Sequence, residues 1–194
     1  MSSYSKGVFL LLLGVSGVGK STVIRELCRL DIRFTYVSPY TTRPLRDGEV
    51  DKISITHADM ECMESAGEFI IVNRKYDILY GTPRKPILDA LNDGRYPILD
   101  WPLEKLDVMR EEFSDNLFTV YVYPPTLSDL RVRLSKDERD KDGSRFQAAI
   151  MELNMLATNR DEFRFDLELI TNDGEETEIA RMIRDEVLRK TNHS

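Results

Sequence analysis

Histidine and cysteine are nearly missing from this chain, and long apolar runs are missing altogether. Only His57 and His193 occur. Nothing pairs them, so imidazole catalysis and histidine-ligated metal centres drop out. The two cysteines, Cys28 and Cys62, fall on predicted helices without metal-ligand spacing, which leaves reduced structural thiols as the expected state. The longest apolar stretch, Val8 to Leu13, is far too short to span a bilayer, and no signal-peptide cleavage pattern follows it. A cytoplasmic protein is expected. Positive charge is also short: 27 Lys and Arg stand against 34 Asp and Glu, a formal net charge of −7. Phosphate backbones repel such a chain at long range, so neither nucleic acid polymers nor membranes are expected partners, and local arginine clusters read as sites.

What remains is the pattern of one ordinary globular domain of 194 residues, without repeats or low-complexity tracts. Val8 to Leu13 reads as a central strand buried on both faces, followed by a helix from about Lys20 to Leu30. Thr35 to Val37 is a short strand, and Ser38 to Asp51 a loop dense in Pro, Gly and Arg. Thr56 and Asp59 have capping-box spacing ahead of a helix to about Ser65. Phe69 to Asn73 and Asp77 to Tyr80 form a small antiparallel excursion. Pro83 to Asn92 is helical, Tyr96 to Asp100 a buried strand, and Leu103 to Phe113 one helix face. Phe118 to Tyr123 is another strand, Thr126 to Leu134 a helix running into the charged stretch 135–144, and Arg145 to about Arg164 a long helix. Leu167 to Ile170 and Glu175 to Lys190 close the chain. Strands alternating with helices predict an α/β fold, a parallel sheet covered on both faces.

Gly14-Val15-Ser16-Gly17-Val18-Gly19-Lys20-Ser21 satisfies G-x-x-x-x-G-K-[ST] between the first strand and the first helix. In that setting backbone N–H groups and a helix N-terminus converge on one anion. Lys20 would reach the β- and γ-phosphates of ATP, Ser21 would offer its hydroxyl to Mg²⁺, and Thr22 would assist at the α-phosphate. A glycine-rich turn that merely contains a lysine is the bland alternative, and it leaves a buried strand running straight into Gly19-Lys20-Ser21 unexplained. Hydrolases, switches and kinases share the motif, so it names no reaction.

Thr41-Thr42-Arg43-Pro44-Leu45-Arg46-Asp47-Gly48-Glu49 sets two guanidinium groups three residues apart on a stiff loop. Two such forks can hold one phosphate dianion and aim it for in-line transfer, although on composition alone a solvated basic loop is the better account. The segment resembles the signature loop of guanylate kinases, and the resemblance runs from Val8 to about Leu188. Gly67-Glu68-Phe69-Ile70 and Tyr80-Gly81-Thr82 are similar to that family's monophosphate-binding subdomain. Ile98-Leu99-Asp100 resembles its acidic strand end near the metal, and Pro124-Pro125-Thr126-Leu127 its turn before the lid. Arg145 to Ala149 with Glu152 resembles its lid helix, and Asp166 to Asn172 the segment whose asparagine contacts adenine.

The resemblance implies a P-loop-type core at about 5–37 and 83–190, a monophosphate-binding subdomain at about 38–82 and a helical lid at about 133–146. It implies a nucleoside monophosphate kinase that moves the γ-phosphoryl group of ATP, with Mg²⁺, to GMP or dGMP. ATP would be held by residues 14–22 and Asn172, the metal by Ser21 and Asp100. Arg43, Arg46 and Tyr80 would take the acceptor phosphate, with Ser38 and Thr82 toward its base. Arg145 would bridge the two phosphates as the lid closes. Arg139 is the candidate for a second lid arginine, although an ungapped count from Pro125 puts Asp137 there.

The acceptor half departs from the family. Its guanine-reading glutamate, nine residues before the Tyr-Gly pair, falls on Ile71, and an alkyl chain leaves each buried base donor unpaired at a cost of roughly 1–3 kcal/mol. The phosphate-holding tyrosine is missing from Asp51 to Ile55. One residue is inserted at Pro39-Tyr40, with Tyr40 as the candidate replacement phenol. The acidic pair reads Asp100-Trp101-Pro102, without its second carboxylate. Either Thr82, Ser38 or Asn73 reads guanine, or the acceptor is another nucleotide or small phosphorylated molecule lying on an apolar wall. Trp101 either stacks on the base or caps the sheet. A non-catalytic module that binds a phosphorylated protein through Arg43, Arg46 and Tyr80 is the rival from another class.

Overall fold

A computed structural model describes residues 7–75, 77–136, 140 and 142–192. Five strands form one parallel sheet in the order β2-β7-β1-β8-β9: Phe34–Tyr36 (β2), Tyr96–Asp100 (β7), Phe9–Leu13 (β1), Leu117–Tyr123 (β8) and Leu167–Ile170 (β9). All five residues of β1 are wholly buried, and its continuous apolar run has a simple cause. Leu10 and Leu12 face Val23 and Leu27 of α1 (Lys20–Leu30) and Ile183 and Val187 of α7 (Glu176–Asn192). Phe9, Leu11 and Leu13 face the opposite layer, built from α3 (Arg84–Asn92), α4 (Leu106–Phe113) and Leu156 of α6 (Ser144–Thr158). A strand with helices on both sides has no polar face to show.

A second sheet, in the order β4-β3-β6-β5, stands between β2 and α3 in the chain. It comprises Tyr40–Thr41 (β3), Ile53–Ser54 (β4), Phe69–Lys75 (β5) and Ile78–Pro83 (β6), antiparallel except for the β3–β4 pair. The segment expected as pure loop therefore holds a short strand, because Tyr40 and Thr41 pair with Gly81 and Tyr80. Met60, Phe69 and Leu79 form a small apolar core beneath this sheet. Helix α2 (His57–Ser65) opens as its spacing predicts: Asp59 N–H donates to Thr56 Oγ1 at 3.1 Å. The same device, Thr126 with Asp129, opens α5 (Leu127–Ser135).

One helix is shorter than expected. α6 ends at Thr158 instead of near Arg164. Asn159 leaves helical geometry, and Phe163 and Phe165 both pack on the lower apolar layer. Residues two apart face the same way in extended chain and not in a helix, so burying both ends the helix early.

Candidate active site

The phosphate loop leaves the carboxyl end of β1 and becomes α1 at Lys20. A side chain at Gly14, where φ is 139°, would strike the Val122 carbonyl on β8, so the loop can hug the sheet only without a Cβ there. Just past the end of β9 the buried Thr171 donates its hydroxyl to the Val18 carbonyl at 2.7 Å. The Lys20 ammonium folds back onto the loop, donating to the Gly14 carbonyl and, at 3.2 Å, to the Val15 carbonyl. Desolvation lowers its pKa, opposed by the charges of Asp100 and Glu152 and reinforced by Arg145. Arg145, in the first turn of α6, donates to the Ser16 hydroxyl, while its own N–H donates to Asp140 Oδ1 at 2.7 Å.

Ser21 and Asp100 line one cleft of about 410 Å³. Tyr36 on β2 shares it and donates to Asp100 Oδ1 at 3.2 Å. Across the cleft lie Glu49 and Asp51, while Arg25 of α1 flanks Ser21. The Arg43 fork closes on Glu49, Nη1 to Oε2 at 2.7 Å and Nη2 to Oε1 at 2.5 Å. Arg46 adds its main-chain N–H to Glu49 Oε2 at 3.0 Å and leaves its side chain exposed. Held first of all by Arg43, the Glu49 carboxyl is pushed down to about 2. The same guanidinium is raised above its ordinary pKa chiefly by Glu49, and Tyr80 is half-buried on β6. The buried Arg43 Nε has no partner among the described residues.

Ser21 at the end of the phosphate loop, Asp100, and Glu49, the partner of Arg43, thus line one cleft. The remaining predicted residues are dispersed. Ser38 borders a separate groove of about 500 Å³ between β2, β3 and α3. Tyr40 is there too, edge-on to Phe69 at 5.6 Å rather than among the arginines, so it does not stand in for the missing phenol. Thr82 is buried opposite Ile71 in the β5–β6 ladder, and half-buried Ile71 packs against the lower apolar layer. Trp101 requires a correction. It is 5% exposed within that same layer, and its indole N–H donates to the Lys105 carbonyl at 2.9 Å, so it caps the sheet end and offers no face to a base. Asn172 donates to Glu175 Oε2 at 2.7 Å beside the Thr171 anchor. Arg139 lies outside the described residues. Tyr36, Glu49 and Thr171 had no role assigned from sequence. Glu49 alone carried a signal, as one of two acids, with Asp47, on the loop of the two arginines.

The guanylate kinase family model matches residues 6–186. A guanylate kinase of Sulfurimonas denitrificans is 34% identical over 196 residues, covering 94% of this chain and 89% of that protein. A guanylate kinase of Chelativorans sp. is 33% identical over 138 residues, 70% of this chain, and that match spans only 63% of the relative's length. The crystal structure of guanylate kinase from Anaplasma phagocytophilum superposes with a TM-score of 0.72 over 96% of this chain and 87% of that one, at 22% identity, a likeness of fold. A family match over nearly the whole sequence, joined by a relative a third identical along most of both proteins, means that the chain belongs to the guanylate kinase family.

Proposed function

We propose that this protein is an ATP-dependent nucleoside monophosphate kinase that transfers the γ-phosphoryl group of ATP to GMP or dGMP. One observation carries the reading: Ser21 and Asp100 face the Arg43–Glu49 loop across a single cleft, as two phosphates meeting in line require. ATP enters along the phosphate loop, and Lys20 turns from the Gly14 and Val15 carbonyls to the β- and γ-phosphates. Arg145, already at Ser16, adds positive charge where the migrating group builds negative charge. Arg43, Arg46 and Tyr80 orient the acceptor phosphate. Its oxygens are anionic at neutral pH, so no general base is needed. The hard oxygen donors of Ser21 and Asp100 in one cleft fit Mg²⁺, which when bound would neutralise phosphate charge.

The second sheet is read as the acceptor-holding part and the α5–α6 region as the lid. No helix among the described residues is long and apolar enough to cross a membrane. The free thiols Cys28 and Cys62 suit a reducing, cytoplasmic setting.

A coupled assay of ADP release with GMP, dGMP, AMP, CMP, UMP and dTMP tests the reading. GMP or dGMP should turn over fastest; binding of Mg-ATP without turnover of any acceptor would contradict it and favour a binding module. A second reading has its own support, since neither β5 nor β6 carries a carboxylate and Ile71 sits against apolar neighbours. On that reading the same screen shows its strongest response with an acceptor other than GMP.

A further inference from the structure

Tyr121 sits on β8 beside the last residue of β1, and its ring is wholly buried between Tyr123, 4.5 Å away, and Phe165, 5.0 Å away. A buried phenol needs a partner for its hydroxyl. Here the partner lies on α6: the hydroxyl donates to Glu152 Oε1 at 2.6 Å. Burial raises the Tyr121 pKa well above its ordinary value, so it remains a donor at any working pH. Glu152 lies two helical turns along α6 from Arg145, on the same face. Helix α6 is therefore tied to the sheet at Tyr121, opposite the last residue of β1, and to the phosphate loop at Ser16 through Arg145.

We infer that Tyr121 and Glu152 are positioning residues for ATP: together they hold α6 against the sheet at the angle that delivers Arg145 to the phosphate loop. Neither touches the nucleotide. The inference rests on reading residues 14–21 as the ATP site. A purely apolar residue at position 121 would fill the same space, but would leave Glu152 without its donor. Arg145 would then have to find its place at the loop as ATP arrives, at a cost to ATP affinity and not to the acceptor.

The test compares wild type with Tyr121→Phe and Glu152→Gln. Mg-ATP affinity is measured by titration calorimetry, KM for ATP and for GMP separately, and thermal midpoint by circular dichroism. Loss of the hydrogen bond in Tyr121→Phe, and of the acceptor's charge in Glu152→Gln, predicts that each variant binds Mg-ATP about tenfold more weakly, with KM for GMP unchanged. Glu152→Gln keeps the side-chain shape and an acceptor oxygen, so it remains informative if Tyr121→Phe folds poorly. A lowered thermal midpoint with wild-type KM for ATP in either variant would reduce the pair to a structural role and overturn the inference alone. Failure of wild type itself to bind Mg-ATP would instead overturn the nucleotide reading beneath it.

Discussion

The phosphate loop and the Arg43 loop face one cleft, but different forces hold them. Backbone and a buried hydroxyl fix the first: Thr171 on Val18, and the β1–α1 junction itself. An ion pair fixes the second, Arg43 locked end-on to Glu49 with Arg46 and Lys52 contributing. A site built from main chain is preorganised whatever the pH or ionic strength. A site built from one carboxylate and one guanidinium depends on both charges, and an incoming phosphate competes for the same fork. The donor half should therefore tolerate conditions that weaken the acceptor half.

Four variants would break or sharpen that contrast. Lys20→Ala removes the ammonium that the phosphate loop itself aims at the transferred group, and kcat should fall about a thousandfold or more while the circular dichroism spectrum stays unchanged. Normal turnover would refute the donor assignment. Arg43→Ala should raise KM for the acceptor by roughly a hundredfold, as loss of a charged bidentate contact does, and leave Mg-ATP affinity intact when titrated separately. Equal losses for both ligands would erase the distinction between the halves. Ile71→Glu introduces a carboxylate opposite Thr82, and discrimination between GMP and AMP in the ADP-release assay should sharpen about tenfold.

The smallest effect is on stability. Arg43 holds the Glu49 carboxyl below its usual 4.5, at about 2. A depressed carboxyl stabilises the fold above the unfolded value, and that contribution fades as pH falls through the folded one. The thermal midpoint of wild type should exceed that of Glu49→Gln above about pH 5, and the gap should close between pH 4.5 and 2. A gap that persists at pH 2 would mean that the ion pair is not what holds the loop.

Sequence reading reached the donor half because its chemistry is local. Leu13, Gly14 and Lys20 belong to one strand–turn–helix unit, and α1 begins at the residue expected. The sheet followed for the same reason, since each strand carries its own apolar pattern. Contacts between distant segments stayed hidden. Tyr121 reads as one more apolar strand residue until Glu152, 31 residues away, is found beside its hydroxyl. Trp101 could not be placed from its position at a strand end, because the Lys105 carbonyl that satisfies its N–H depends on how the next helical turn folds back. The early end of α6 likewise follows from where Phe163 and Phe165 are buried, a tertiary demand that overrides local helix preference.

The central claim is that the two anion sites open onto one cleft and act together. A bisubstrate ligand joining adenosine and guanosine through a chain of five phosphates, titrated by calorimetry, tests this most directly. Linking the two halves should make it bind about a hundredfold more tightly than either ATP or GMP alone, with the gain lost in both Lys20→Ala and Arg43→Ala. Affinity no better than that of ATP, or a gain that depends on only one of the two residues, would contradict the account.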